Sequence, residues 1–279
     1  MFELEPHGPD TYVGTGPRYP WSGLYGGQIV AQALRAAAAT VDPDLAAHSL
    51  RAYFIRRGDD AEPVRYEVDR IRDGRSFATR RVVARQAIGA ILNLEASFQR
   101  PEPAPVVVTL TAPGLSVDDA QVDDSWMPTF ERRFVPAAAV PDTDREGAGR
   151  VAAWMRVVED LGQPVDPASG LLHQCWLAYL SDDLAFDSAR RLHPSRELPE
   201  FEDEQMGASL DHTIWFHRPL RADRWHLHDV SCLGYFGHRG LALGRVFTED
   251  GEHVATFAQE YLLRVANDAE VSTTGTGLA

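Results

Sequence analysis

Two stretches far apart in this chain carry one pattern, and that repeat restricts the fold more than any single motif does. TRRVVARQAIGAILNLEASF, ending at Phe98, matches LGRVFTEDGEHVATFAQEYL, ending at Leu262. Upstream of each, an aromatic-bearing segment also recurs: His48 to Arg57 resembles Ser209 to His217. Placing Phe54 on Phe216 puts Arg56 on Arg218 and Ala47 on Ser209. An apolar helix-like run leads each copy, so the copies lie about 160 residues apart and each reads as a helix followed by strands.

The first helix is the clearer one. In GLYGGQIVAQALRAAAATV, Ile29, Val30, Ala33, Leu34 and Ala37 recur at helical spacing. The run is apolar almost all round, which predicts a buried helix. Gly26 and Gly27 leave backbone N–H groups open at its start, where an oxyanion or phosphate could sit, although a Gly-Gly pair equally serves close packing. From His48 to Arg100 the alternation in RYEVDRI and the turns at Asp73-Gly74 and Ala87-Ile88-Gly89 predict successive antiparallel strands. The Asp250-Gly251 pair predicts another hairpin in the second copy. The resulting α+β division is residues 1–105 for the first unit and 106–150 for a Pro-, Ala- and Asp-rich connector. Residues 151–268 form the second unit and 269–279 a polar tail.

Charge narrows the partners. A formal net charge of −14 argues against a nucleic-acid binder, because phosphate neutralisation needs a basic surface. The chain has no lysine, which excludes a Schiff-base or P-loop lysine and leaves arginine as the only strong cation. No apolar run approaches the roughly 20 residues of a membrane span, and residues 1–20 lack a signal-peptide pattern, so a cytoplasmic location is the default expectation. Cys175 and Cys232 sit among apolar neighbours and read as buried thiols rather than a framework.

The chemistry concentrates between His173 and Pro219. Here an apolar run ends at Ser181-Asp182, an acidic stretch follows (Glu197, Glu200, Glu202, Asp203, Glu204), and a β-type segment opens at Ser209. Taken alone, Asp182 reads as a cap or surface residue and Ser209 as an ordinary strand-start hydroxyl. Asp211-His212 has the look of half a triad, but neighbours on a strand point to opposite faces. His212, His217, His226, His228 and His238 therefore read as structural or surface histidines. His226 and His228, sharing a strand face, are the weak exception to the expectation of no metal site.

Taken together, LYGGQIVAQAL, HSLRAYFIRRGD, RDGRSFATRRV, ASFQRPE, LAYLSDDLAF, LDHTIWFHRP, GRVFTEDG and AQEYLLR resemble the acyl-CoA thioesterase II family, over residues 15–265. The resemblance implies a double hotdog fold, two tandem copies of a long helix wrapped by an antiparallel sheet. It also implies hydrolysis of fatty acyl-CoA to free fatty acid and CoA with no cofactor, and a homodimer or homotetramer. An Asp, a Thr or Ser and a Gln that hold the hydrolytic water match Asp182, Ser209 and Gln259. Substrate-contact candidates are Gly26, Gly27, Gln28, Arg56, Arg80, Arg218 and Trp215. The segment DVSCLGYFGHRG and Tyr261 depart from the usual pattern and bear on acyl-chain preference. Two other readings stay open: a non-catalytic acyl-CoA-binding hotdog protein, and a hotdog hydratase, whose D-x-N-x-x-H arrangement SDDLAF does not supply. The overlay of Ala47 on Ser209 suggests that the first copy is scaffold and the second holds the site.

Overall fold

A computed structural model of the chain describes residues 1–123, 125–140, 149–164, 167–193, 196 and 205–265. Helix α1 (Gly26–Ala38) forms where the apolar spacing places it, and Ile29, Val30, Ala33 and Leu34 are all buried. Its neighbour α2 (Pro167–Leu180) ends one residue before Ser181. The two helices touch at Gly27. A β-carbon there would stand 2.3 Å from the carbonyl oxygen of Tyr179, so only glycine lets the backbones approach this closely.

Among the described residues one antiparallel sheet of fourteen strands runs around the helices. The N-terminal part contributes β1 (Leu4–Pro6), β2 (Thr11–Gly14), β3 (Ala46–Phe54), β4 (Val64–Asp73), β5 (Phe77–Gln86) and β6 (Gly89–Gln99). The predicted β5–β6 turn is in place: Gln86 faces Gly89, whose φ of +110° suits glycine. Alternation holds in β4, where Val64, Tyr66 and Val68 are buried between exposed Arg65 and half-buried Glu67. The rest of the chain supplies β7 (Gln121–Asp123), β8 (Phe130–Phe134), β9 (Arg150–Val157), β10 (Gln205–Ser209), β11 (Asp211–Phe216), β12 (His226–Phe236), β13 (Arg239–Thr248) and β14 (His253–Val265). Their order is β1-β2-β4-β5-β6-β3-β11-β14-β13-β12-β9-β8-β7, with β10 added on β14. β3 and β11 meet at the middle, and the main apolar core crosses that seam, from Leu34, Leu50 and Leu94 to Tyr179 and Phe257.

Two local features differ from the sequence reading. The segment from Ser209 to His217 is not one strand. It breaks at Leu210, and its register on β14 slips by one residue there: Ser209 faces Tyr261, whereas Thr213 faces Ala258. Shortly after Asp182 the chain turns into a third helix that the sequence reading did not mark, α3 (Ala185–Leu192), which buries Ala185, Ser188 and Ala189. The charges of Asp187, Arg190 and Arg191 disguise so short an amphipathic stretch. The acidic stretch of Glu197, Glu200, Glu202, Asp203 and Glu204 lies outside the described residues, as does the tail. Among the described residues no helix is long and apolar enough to cross a membrane. Cys175 and Cys232 are free and buried, and burial pushes the Cys175 thiol up to about 12.

Candidate active site

Asp182, Ser209 and Gln259 come from three elements and meet at one point. Gln259 Nε2 donates to Asp182 Oδ1 at 2.6 Å and to Ser209 Oγ at 2.7 Å. Ser209 Oγ also lies 3.3 Å from Asp182 Oδ1, to which it donates. The other carboxylate oxygen, Oδ2, accepts the backbone N–H of Gly27 at 2.8 Å. Asp182 is buried, and loss of hydration raises its pKa to about 6; the bonds from Gln259, Gly27 and Ser209 oppose that rise, while nearby Asp183 adds to it. A carboxyl in this state is a base matched to near-neutral conditions.

The N-terminus of α1 explains part of the arrangement. Tyr25, its capping residue, makes no side-chain cap bond, and the first turn has no acidic residue. Asp182 from the end of α2 supplies both the acceptor and the negative charge that a helix N-terminus favours. The first half is therefore more than scaffold: its backbone holds the carboxylate. This also corrects the picture of an open glycine N–H, since the Gly27 amide is already engaged.

Two further residues around the trio went unrecognised in the sequence. His212 is fully buried, with Nδ1 2.8 Å from Gln259 Oε1 and Nε2 2.9 Å from Ser181 Oγ. Asp183 accepts Trp126 Nε1–H at 3.0 Å and Arg132 Nη1–H at 2.5 Å, fastening the turn after α2 to β8 and the segment before it. The signal for His212 was the tripeptide LDH after the hydroxyl; the signal for Asp183 was the second acid of SDD.

The remaining predicted contacts scatter. Gly26 stays beside the carboxylate: a β-carbon there would meet Asp182 Oδ2 at 2.7 Å. Gln28 is buried and accepts Tyr19 Oη–H at 2.6 Å, inside an aromatic cluster that includes Tyr25, Trp126 and Tyr179. Arg56 is exposed and donates to the Ala90 carbonyl at 2.8 Å, and Arg218 pairs with Glu252 at 3.0 Å. Arg80 is the clearest departure from a phosphate-binding role. Its guanidinium is buried at the far end of α1, about 20 Å from Gly27 at 1.5 Å per residue, and bonds Thr40 Oγ1, the carbonyls of Thr40, Arg72 and Thr79, and Asp73. Trp215 is on the sheet face opposite Ile214 and His212, with the Arg51 guanidinium 6.0 Å above its ring. His226 and His228 are both buried with ring centroids 5.1 Å apart. Among the described residues no group of three or more His, Cys, Asp or Glu could hold a metal ion.

Helices packed inside a long antiparallel sheet, with polar side chains meeting at a helix N-terminus, define a hotdog-fold protein. A hotdog-fold protein of unknown function from Alicyclobacillus acidocaldarius superposes with a TM-score of 0.72, covering 95% of this chain and 96% of that one at 19% identity, which speaks to the fold alone. An acyl-CoA thioesterase II from Mycobacterium marinum superposes with a TM-score of 0.82 at 34% identity, covering 96% of both chains. In sequence, acyl-coenzyme A thioesterase 8 of Mus musculus is 34% identical over 300 residues, spanning 95% of this chain and 88% of that protein. The family pattern of the acyl-CoA thioesterase N-terminal domain matches residues 17–112, and that of the C-terminal domain matches residues 105–263. This chain belongs to the acyl-CoA thioesterase family and is a thioester hydrolase.

Proposed function

We propose that the protein hydrolyses fatty acyl-CoA to free fatty acid and CoA, and that Asp182, Ser209 and Gln259 activate the water. The observation that carries this reading is the Gln259 amide, which bridges a buried carboxylate whose pKa is near 6 and a hydroxyl. In the step proposed, the Asp182 carboxylate takes a proton from water as its oxygen attacks the thioester carbonyl carbon. The C–S bond then breaks, and the proton passes to the departing thiolate, giving acid and thiol. Ser209 Oγ keeps a lone pair that can accept from the water, and Gln259, both of whose amide protons are engaged, orients the water indirectly by holding Asp182 and Ser209 in place. The start of α1 faces the same point and favours the developing oxyanion.

The double hotdog reading gains support from the strand order. On either side of the β3–β11 seam the sequence runs β6, β5, β4 in one direction and β14, β13, β12 in the other, with α1 and α2 as the matching helices. This is the order that two tandem copies would produce. The proposed limits are residues 1–105 and 151–268, joined by 106–150 and followed by the tail 269–279. A further homotypic pairing, to a homodimer or homotetramer, is part of the proposal and is read by light scattering.

Asp182→Asn tests the chemistry through thiol release over a series of acyl-CoA chain lengths. The expected loss is about 10²- to 10⁴-fold, the usual contribution of a general base. Undiminished turnover by the folded variant would remove Asp182 from the mechanism, and ester binding with no thiol release by the parent protein would favour a binding function.

A further inference from the structure

The proposed site leaves one buried titratable side chain in contact with it and without a role. From the geometry we infer that His212 is a positioning residue, which fixes the orientation of the Gln259 amide and so the direction from which Asp182 and Ser209 receive their hydrogen bond. The inference rests on the catalytic reading of the trio.

A primary amide has a donor end and an acceptor end, and in this pocket the two are not interchangeable. Gln259 Nε2 faces a carboxylate oxygen at 2.6 Å and a hydroxyl at 2.7 Å. Reversing the amide would press its carbonyl oxygen against the Asp182 carboxylate. The other end, Oε1, needs a donor, because a buried carbonyl without one is costly. His212 Nδ1 is 2.8 Å away and provides it. Burial keeps the ring neutral, with its pKa lowered to about 4. A neutral imidazole that donates from Nδ1 has a lone pair on Nε2, and Ser181 Oγ lies 2.9 Å from that nitrogen. Ser181 precedes Asp182 in the chain. His212 thus ties the end of α2, which carries the carboxylate, to β14, which carries the amide.

His212 reaches this position because of the break at Leu210. Along a regular strand, residues three apart point to opposite faces, so Ser209 and His212 would diverge. The one-residue slip in register against β14 puts both on the side of Gln259. The histidine is fully buried and sits behind the amide, so it acts on Gln259 and not on water or substrate.

His212→Leu removes the donor, and His212→Asn keeps one, since the asparagine amide nitrogen stands where Nδ1 does. Thiol release from acyl-CoA should fall about 10- to 100-fold in the leucine variant, the range for loss of an outer partner that orients a reactive group. KM should change little, and the asparagine variant should recover most of the loss. The acid limb of kcat/KM should also move to higher pH in the leucine variant, because a freed amide no longer holds its donor on Asp182. The groups facing Asp182 from neighbouring elements are Asp183, Tyr19, Tyr25, Tyr179 and Tyr261, with Asp187 beyond Asp183; all of them remain in place.

The double variant His212→Leu with Gln259→Leu separates this inference from the reading beneath it. If Gln259→Leu alone keeps normal turnover, the catalytic trio fails. If Gln259→Leu is impaired and His212→Leu is not, the positioning role fails and the trio stands. The expected result is a double variant no slower than Gln259→Leu, because His212 acts only through that amide. Should His212→Leu not fold, His212→Asn against His212→Gln decides: glutamine places its nitrogen at the Nε2 position, and equal turnover of the two would overturn the inference.

Discussion

The Asp182 carboxylate accepts the backbone N–H of Gly27 at 2.8 Å, joining residues 155 positions apart in the sequence. A helix that lacks its own cap is thereby completed by an acid from the end of the other long helix. The same contact orients that acid toward Ser209 and Gln259, so the packing of α1 on α2 and the geometry of the proposed site are one arrangement.

Gly26→Ala tests how closely this arrangement is set. The added methyl would stand 2.7 Å from Asp182 Oδ2 and 3.0 Å from the Phe54 ring. Alanine itself suits the start of a helix, but the carboxylate it displaces caps α1, so a modest loss of stability should accompany it. The carboxylate must move, and turnover should drop by about 10-fold or more, as small misplacements of reacting groups do. Turnover at the parent level would show that the carboxylate position is not critical.

The raised pKa of Asp182 sets a pH dependence for both activity and stability. A base must be deprotonated to act, so kcat/KM should fall as pH drops through about 6. Stability runs the other way. The folded carboxyl binds its proton more tightly than an ordinary aspartate, whose pKa is 3.8. Its contribution is therefore fully present below that value and is lost as pH rises through about 6. Between pH 5 and 7.5 this single group should remove about 1 kcal/mol of unfolding free energy. Urea titrations of the parent and Asp182→Asn at both pH values measure it: the difference between the two proteins should change by that amount. A constant difference would mean an unperturbed carboxyl.

Ser209→Ala removes the hydroxyl that accepts from Gln259 at 2.7 Å. Thiol release should fall about 10- to 100-fold, the scale for losing a group that orients the reactants. Ser209→Thr keeps the hydroxyl and should stay near the parent rate. Equal rates for alanine and threonine would mean that the hydroxyl is structural.

Arg80→Met separates fold from substrate binding. The side chain removed is 1% exposed and satisfies both the hydroxyl and the carbonyl of Thr40. Its ion-pair partner Asp73 is mostly exposed, so the pair itself adds little; the unpaired buried oxygens should cost about 2–4 kcal/mol. A lower denaturation midpoint with an unchanged KM for acyl-CoA is expected. A raised KM with normal stability would return Arg80 to the substrate site.

Much of this was legible in residue pattern. The spacing of Ile29, Val30, Ala33 and Leu34 marked α1, and the Gly89 and Gly251 turns marked two hairpins, because helical and strand periodicities and left-handed turn positions are local properties. Motif order likewise marked Asp182, Ser209 and Gln259. The sequence reading of His212 as a structural histidine agrees with its burial, but its place beside Gln259 was not legible, because nothing in ASLDH marks the slip at Leu210 that brings it to the side of Ser209. The burial of Arg80 was not legible because its pattern, a cation near a strand end, is the same whether the guanidinium meets solvent or the carbonyls that close a helix.

By itself the sequence marked α1 and the N-terminal hairpins, suggested that a helix-and-strand pattern recurs, and singled out Asp182, Ser209 and Gln259 as candidates. Only the tertiary structure decided what those side chains touch. Gly27 caps onto Asp182, His212 reaches Gln259, and Arg80 is closed off from solvent, all through contacts between residues distant in the chain. Burial and hydrogen-bond partners arise from such long-range packing, and they set the pKa of Asp182 and the direction of the Gln259 amide.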